Sequence, residues 1–443
     1  MKWGWTYNPS TQVKYGHHDV LLEGDSIGSL DDFRDWYVSR YHSRPLPTLF
    51  LTMMLPFIIF TLILTLIWNE YLILVLGEMS QHVFMDYFWS VCDSMNNPYT
   101  VMKVIYPPFA VAIYSLIGHI TLPYVTQDTG DLYIDMFNSQ VPMMVFIILM
   151  GFSIYLLLTV CKESLKTTLE DKEKTLFTLV ILLSFPLIIA LQNGNSIIYA
   201  LSFLLVFLLG YRSENRWIRY FSYACLGFVT GMKLSPGIFA LLILRERKYK
   251  EFAICAIIVS FIVLAPIVFT DGTVAMIIEN LFVIDRETGG SINNIPKLFY
   301  SLSKILEMPI IDTIGVGLTG AITVLTMIIM VLDTRMKNWE VITLAVMCII
   351  NGFGIGTPYL YMYVIVAIIF FLREEKEATR INLLCLILLT LPLILIPMVL
   401  LAIKSCSTMI LLFALLILGV KNMIGMLKED SSEKEVRNSL DQQ

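Results

Sequence analysis

The chain has 443 residues, of which 57% are hydrophobic and only 15% are charged, against about 25% charged in an average soluble domain. The mean hydropathy is +0.73 and the net charge is −5. This composition excludes a soluble globular protein, which would lack the polar residues needed to cover its surface. It also excludes a disordered chain, and the negative net charge argues against nucleic acid as a partner.

Apolar runs recur along the chain and predict an all-α, polytopic transmembrane bundle of about 11 or 12 spans, since one span takes about 20 apolar residues. Residues 1–46 precede the first run, and the transmembrane domain covers 47–427. Residues 428–443 are polar and predict a disordered tail. The predicted runs are 47–68, 141–161, 175–191, 195–211, 218–232, 235–244, 251–269, 311–332, 339–356, 358–372, 381–403 and 406–427.

Lysine and arginine predict the orientation of these spans. With the N-terminus in the cytoplasm, about 25 of the 31 basic residues fall on the cytoplasmic side. This assignment requires that 104–125 does not cross the membrane. Pro107 and Pro108 fit the first turn of a juxtamembrane helix there, where a missing N–H costs nothing. Both termini are then cytoplasmic, and two large loops, 69–140 and 270–310, lie outside.

The first outer loop contains two acidic residues, Asp86 and Asp93, seven positions apart and therefore on one face of a helix. Neighbouring apolar residues give that helix an apolar side, which predicts a position in the membrane interface. A carboxylate shielded from water there has a raised pKa and can accept a proton. The alternative is an ordinary solvated carboxylate.

Two polar segments interrupt later apolar runs. Gln192-Asn193-Gly194-Asn195 offers amides that can bind a sugar or phosphate, although Asn195 is equally a good helix N-cap. In Lys233-Leu234-Ser235-Pro236, the proline breaks the helix beside a lysine that suits a lipid phosphate. The alternative is a lysine that snorkels to the interface.

Two further segments are candidates on the outer side. Tyr359, Tyr361 and Tyr363 lie at the outer end of a span, where an aromatic belt would also explain them. Asn293 and Asn294 follow Gly289-Gly290 and are also typical turn residues.

In this order the segments resemble the GT-C superfamily of integral-membrane glycosyltransferases, specifically glycosyltransferase family 87, the polyprenyl-phosphate-mannose-dependent α-mannosyltransferases. The resemblance covers residues 47–250 and is looser at Asn293-Asn294 and Thr357-Pro358-Tyr359. Near the Thr357-Pro358-Tyr359 segment, where family members often carry His, this chain has Tyr361 or Tyr363. The matching motifs are Asp86-Tyr87, Asn97-Pro98-Tyr99, Tyr106-Pro107-Pro108, Gln192 to Asn195 and Lys233 to Pro236.

The resemblance implies a GT-C fold with juxtamembrane helices in the first outer loop. It also implies an inverting enzyme of the cell envelope that moves a hexose, by family precedent mannose, from a polyprenyl-phosphate carrier to a glycolipid or glycan acceptor at the outer face. The implied partners are this donor, the acceptor and the bilayer. The lipid-linked sugar is a substrate, so neither a cofactor nor a metal is expected.

The resemblance also implies roles for individual residues. Asp86 would be the general base. The donor phosphate would be held by Lys233, Gln192, Asn195 and Tyr106. Acceptor or secondary contacts would come from Asp93, Tyr87, Asn293 and Tyr361.

Two other functions compete with this interpretation. A polysaccharide polymerase or ligase also has many spans and a large outer loop, but such enzymes use outer arginines and only Arg286 is available here. A secondary transporter would contain inverted repeats with paired broken helices, whereas the sequence has one obvious break, at Lys233–Pro236.

Overall fold

The computed structural model describes residues 45–68, 83–126, 128–282, 294–352, 357–396 and 401–441. Within these ranges all regular secondary structure is helical. The helices are α1 Pro45–Ile67, α2 Met85–Met95, α3 Pro108–Thr121, α4 Leu132–Asn138, α5 Gln140–Ser164, α6 Asp171–Leu182, α7 Phe185–Asn193, α8 Ile197–Gly210, α9 Arg216–Met232, α10 Leu241–Arg245, α11 Tyr249–Leu264, α12 Val274–Phe282, α13 Ile295–Ile305, α14 Pro309–Leu332, α15 Asn338–Gly352, α16 Val364–Glu374, α17 Arg380–Thr390 and α18 Leu401–Asp441. Short 3₁₀ segments occur at Leu122–Tyr124, Ser235–Ala240, Ala265–Phe269, Pro358–Tyr363 and Leu391–Leu393.

The prediction of a polytopic helical membrane protein is confirmed. Among the described residues, five helices are long and apolar enough to cross a membrane, and a sixth is counted if the bent pair α6–α7 is one span. The five are Leu46–Ile67, Gln140–Ser164, Tyr249–Phe269, Pro309–Leu332 and Leu401–Glu429. The other predicted runs form helices of 5–17 residues or 3₁₀ segments. The larger span number predicted from hydropathy therefore includes these short helices.

Prolines divide several of the apolar runs. α6 and α7 meet at an angle of 51°, with Pro186 in the first turn of α7, where its ring and missing N–H prevent one continuous helix. As the sequence predicts, α9 ends immediately before Lys233, whose backbone is extended, and a 3₁₀ segment starts with Pro236 in its first turn. These breaks bring polar residues to the ends of apolar helices.

The segment predicted to be a juxtamembrane helix forms α3. It starts at Pro108, with Pro107 as the N-cap residue, and has 14 residues. A helix of that length extends about 21 Å, which is less than the hydrocarbon core of about 30 Å. Its residues pack closely on α2, since a Cβ added at Gly118 would lie 2.3 Å from the sulfur of Met95.

Polar contacts join loops that the lysine and arginine pattern assigns to the same side. At the end predicted to be cytoplasmic, Arg219 pairs with Glu251 at 3.2 Å, and Arg245 donates to the Met336 carbonyl. Lys337 also pairs there with Glu375. Because α9 has 17 residues and is about 25 Å long, Lys233 at its other end is well separated from this layer.

The C-terminal segment departs from the sequence-based prediction. Residues 428–441, which the composition predicts to be disordered, continue α18 as a helix to Asp441. Lys and Glu are good helix formers, and extending an existing helix avoids the unfavourable nucleation step. Apart from its last two positions, the N-terminal segment 1–46 lies outside the described residues.

Candidate functional site

The start of α2 is anchored to the end of α7. Phe84 precedes the helix with a left-handed backbone, φ 61°, and its N–H donates to the Gln192 carbonyl at 2.7 Å. Its ring packs on Phe146 of α5, with centroids 4.4 Å apart. A non-glycine residue with positive φ is strained and persists only where its surroundings enforce it. This anchor places Asp86 in the first turn of α2, next to the polar end of α7.

Asp86 and Asn195, 109 residues apart, form the central contact of the site. Asn195 Nδ2 donates to Asp86 Oδ2 at 2.5 Å, and Asn195 is only 1% exposed. Asn195 Oδ1 accepts from the Ile197 N–H at 3.0 Å, at the start of α8, whose N-cap residue is Ser196. This bond determines which end of the Asn195 amide faces Asp86. A contact of Asn195 with a sugar or phosphate stays a prediction.

Lys233 lies between two tyrosine rings. Its Nζ is 5.2 Å from the ring centre of Tyr106 and 5.5 Å from that of Tyr359, within the range of cation–π attraction. The lysine charge also acts on the Asp86 carboxyl, although the two groups form no direct ion pair in the described part of the chain. All four side chains are half-buried. A carboxylate and an ammonium therefore lie within electrostatic reach of each other without a direct ion pair.

The pKa of Asp86 reflects opposing effects. Burial raises it above the usual 3.8, whereas the Asn195 hydrogen bond and the Lys233 charge lower it. The pKa of the Tyr106 phenol is well above its usual range because of burial, to which the Asp86 charge adds. Tyr106 therefore stays protonated and can act as a hydrogen-bond donor. Asp86, with a raised pKa, is a better proton acceptor than an exposed aspartate once ionised.

The segment carrying Tyr106 is held by the second large loop. The Asp271 carboxylate accepts hydrogen bonds from the backbone N–H groups of Tyr99 and Thr100 at 3.1 and 3.0 Å. Asn280 Nδ2 donates to the carbonyls of Tyr99 and Val104. The Tyr99 hydroxyl then donates to the Tyr106 carbonyl at 2.8 Å. Despite some desolvation, hydrogen bonds from the Thr100 side chain and from the backbone N–H groups of Tyr99 and Thr100 lower the pKa of Asp271. Residues 270–282 thus position one wall of the site.

The remaining predicted residues lie at different distances from this cluster. Asp93 is two turns further along α2, and burial raises its pKa. The Tyr87 hydroxyl is buried without a hydrogen-bond partner among the described residues, as is Gln192 Oε1. The Tyr361 hydroxyl lies 2.9 Å from that of Ser405 on α18. Of the three tyrosines at 359, 361 and 363, it is Tyr359 whose ring contacts Lys233. Asn293 lies outside the described residues.

Other hydroxyls complete the cluster. The hydroxyls of Tyr114 and Tyr199 are 3.0 Å apart, and Ser90 donates to the Asp86 carbonyl at 2.5 Å. Periodicity offers no signal for these residues because they lie in apolar helices, and Asp271 has no motif around it. Within the described ranges no group of three His, Cys, Asp or Glu side chains could hold a metal ion.

The comparisons with known proteins give one match. The family model for glycosyltransferase family 87 matches residues 105–392, well over half of the chain, and includes Tyr106, Asn195, Lys233 and Tyr359. Asp86 precedes the matched range and joins these residues only through the tertiary contacts above. Neither the curated proteins nor the solved structures include a match.

Proposed function

This chain belongs to glycosyltransferase family 87, and from that membership we propose that it transfers a hexose, with mannose as the first candidate, from a polyprenyl-phosphate carrier to a glycolipid or glycan acceptor. The protein is a membrane glycosyltransferase, which sets aside the transporter alternative. We place the reaction on the extracytoplasmic side of the cell membrane, with both termini in the cytoplasm.

One observation carries the proposal: Asp86, held by Asn195, lies within electrostatic reach of Lys233, which lies between two tyrosine rings. A carboxylate can take a proton from an acceptor hydroxyl. An ammonium can stabilise the charge that develops on a departing phosphate. The absence of a direct ion pair between the two leaves their charges available to the substrates.

The proposed reaction is a single inverting displacement. The Asp86 carboxylate accepts the proton of the acceptor hydroxyl as that oxygen attacks the anomeric carbon of the donor sugar. The bond from this carbon to the phosphate oxygen breaks, its electron pair stays on the lipid phosphate, and Lys233 stabilises the added negative charge. Phosphate leaves readily, so the second carboxyl group used by glycoside hydrolases as an acid is not required.

A donor panel tests the proposal. Purified protein in nanodiscs receives radiolabelled polyprenyl-phosphate mannose, polyprenyl-phosphate glucose, polyprenyl-diphosphate sugar or nucleotide sugar, each with a membrane lipid extract as acceptor. We expect transfer from a polyprenyl monophosphate only, with the anomeric configuration of the product opposite to that of the donor. Transfer from the diphosphate donor would instead favour the polymerase or ligase alternative, and retained configuration would contradict the displacement.

Asn195→Ala should change the pH profile of this transfer. Removing the amide removes a hydrogen bond that lowers the pKa of Asp86, so that pKa rises and more of the carboxyl is protonated at a given pH. Because the base must be ionised, the acid limb of the kcat profile moves to higher pH. Asn215→Ala is the matched control, since Asn215 Oδ1 likewise accepts from the N–H two residues on, that of Trp217, at 3.0 Å. An unchanged acid limb in Asn195→Ala would contradict the proposal that the ionisation of Asp86 controls kcat.

Gly194→Ala should impair both stability and transfer. Gly194 has φ +66°, and an added Cβ would lie 3.1 Å from Phe146 and Tyr87. The left-handed conformation alone costs an alanine roughly 1–2 kcal/mol, and relieving the contacts moves Asp86 relative to Asn195. Gly130→Ala isolates the first effect, because Gly130 has φ +77° with open space around it. We expect the midpoint temperature of unfolding to fall in both variants and kcat to fall only in Gly194→Ala. Equal kcat values in the two variants would show that transfer does not depend on the position of Asp86 relative to Asn195.

A further inference from the structure

A cavity lies between the turn that follows α10 and the end of α14. Its volume is about 340 Å³, within the range of about 300–1,000 Å³ typical of small-molecule sites. Half of the lining side chains are apolar, and the other half carry a guanidinium or a hydroxyl group. The lining residues are Leu244, Arg247, Tyr249, Val331, Leu332 and Thr334.

The cavity lies where two long apolar helices have their ends. Tyr249 is the first residue of α11 and Leu332 is the last residue of α14, and both helices are long and apolar enough to cross a membrane. Polar headgroups flank the hydrocarbon core of a bilayer, so the ends of such helices lie at the level of the headgroups. Tyr249 is 66% exposed and Leu332 is 55% exposed, so lipid can reach the cavity from the surface of the protein.

The two walls of the cavity are joined by a contact outside it. Arg245, at the end of α10, donates through Nη2 to the Met336 carbonyl at 2.6 Å, two residues beyond Thr334. The turn after α14 is held in addition by Asp333, which accepts the Arg335 N–H at 2.8 Å. The cavity is therefore formed by the protein itself and does not need a ligand to shape it.

Arg247 supplies the charge of the cavity. Its backbone is left-handed, φ 57°, a conformation that favours glycine, and its N–H donates to the Leu244 carbonyl at 2.9 Å. In the described part of the chain its guanidinium forms no ion pair, whereas Glu246 pairs with both Arg212 and Lys248. An unpaired guanidinium suits a phosphate, which it can bind through two parallel hydrogen bonds.

We propose that this cavity binds the phosphate of an anionic phospholipid. The Arg247 guanidinium and the hydroxyls of Tyr249 and Thr334 contact the phosphate, and the acyl chains lie against Leu332 on the surface of α14. Basic pockets between membrane helices are known to hold anionic headgroups. The apolar half of the lining favours a lipid over a free phosphate, because a water-soluble anion would leave that half in contact with water.

This lipid site is separate from the proposed transfer reaction. Arg219 of α9 pairs with Glu251, two residues after Tyr249, so the cavity lies at the Arg219 end of α9. Lys233 follows the other end of α9, which has 17 residues and is about 25 Å long. The bound lipid therefore belongs to the leaflet that the lysine and arginine pattern predicts to be cytoplasmic, and it is not the donor that reacts at Asp86.

The test measures the preference of the protein for an anionic lipid. Purified protein in detergent is titrated with phosphatidylglycerol or with phosphatidylcholine of the same acyl chains, and native mass spectrometry gives the Kd of the first lipid bound. About 0.5 M ammonium acetate screens diffuse attraction between charges. Arg247→Gln removes the guanidinium from the cavity. Arg216→Gln is the matched control, since Arg216 is also exposed near the Arg219 end of α9 but does not line the cavity.

We expect the unaltered protein and Arg216→Gln to bind phosphatidylglycerol about tenfold more tightly than phosphatidylcholine, the effect of one hydrogen bond to a charged group. Arg247→Gln should bind the two lipids equally. Arg247→Gly should also lose the preference, and its midpoint temperature of unfolding in phosphatidylcholine nanodiscs should not fall, because glycine suits the left-handed turn. Adding phosphatidylglycerol to the nanodiscs should raise this midpoint in the unaltered protein only.

Three results would overturn the inference. Equal affinity of the unaltered protein for the two lipids would show that the protein has no site for an anionic headgroup. Equal losses of preference in Arg216→Gln and Arg247→Gln would assign the binding to diffuse surface charge. Displacement of phosphatidylglycerol by inorganic phosphate or glycerol 3-phosphate at the same concentration as the lipid would assign the cavity to a free anion.

Discussion

Asp86→Asn should lower kcat for sugar transfer by about 10²- to 10⁴-fold, the range that general-base catalysis contributes. The substitution preserves the shape of the side chain and leaves an oxygen that can accept a hydrogen bond from the Asn195 amide, whose Nδ2 lies 2.5 Å from Asp86 Oδ2 in the unaltered protein. The negative charge is lost, and with it the capacity to take a proton. Donor binding and thermal unfolding should therefore stay close to those of the unaltered protein, and the loss should appear in single-turnover transfer.

Asp93→Asn is the matched control for that experiment. Asp93 lies on the same helix, is also half-buried, and burial raises its pKa as well. No hydrogen bond links it to Asn195, and Lys233 acts electrostatically on Asp86. We expect kcat of Asp93→Asn to stay within about twofold of the unaltered value. The opposite pattern, with loss in Asp93→Asn and none in Asp86→Asn, would move the base to Asp93.

Lys233→Met should lower kcat by about 10²- to 10³-fold, comparable to removing one preorganised donor at a developing negative charge. Methionine keeps an unbranched apolar stem between the rings of Tyr106 and Tyr359, 5.2 and 5.5 Å from the present ammonium. It also removes a charge that lowers the pKa of Asp86, so the acid limb of the pH profile should move to higher pH. Lys233→Arg, which retains the charge, should recover part of the rate.

The control for Lys233 uses another lysine–tyrosine pair. Lys304 Nζ lies 5.3 Å from the ring centre of Tyr300 on α13, more than 200 residues after Asp86 in the sequence. Lys304→Met therefore removes a similar cation–π contact without touching the site, and transfer should be unaffected. If both lysine variants lose activity equally, or if Lys233→Met retains full kcat, Lys233 does not stabilise the leaving phosphate.

Much of the fold could be predicted because hydropathy and proline act locally. The apolar runs beginning near 47, 141, 251 and 311 correspond to α1, α5, α11 and α14 within a few residues. The break before Pro236 follows from the missing N–H of proline. Span number was less predictable, since hydropathy does not report whether a run of 10–17 residues is a crossing helix or a shorter piece.

The tail shows the limit of composition. Residues 428–441 contain too few apolar side chains to predict an ordered segment, yet they continue α18 as a helix. A polar sequence that begins at the end of an existing helix needs only propagation, which Lys and Glu favour. Composition counts residue types and carries no information about the helix that precedes them.

Sequence alone determined that this is a helical membrane protein and identified Asp86, Asn195 and Lys233 as chemically unusual, because a polar group in an apolar run stands out locally. The tertiary structure decided which of these groups meet. The Asn195–Asp86 bond spans 109 residues, Tyr359 reaches Lys233 from a distant segment, and Asp271 holds the Tyr99 turn. Such contacts depend on the bend at Pro186, the strained turn at Phe84 and the packing of whole helices, which no local pattern encodes.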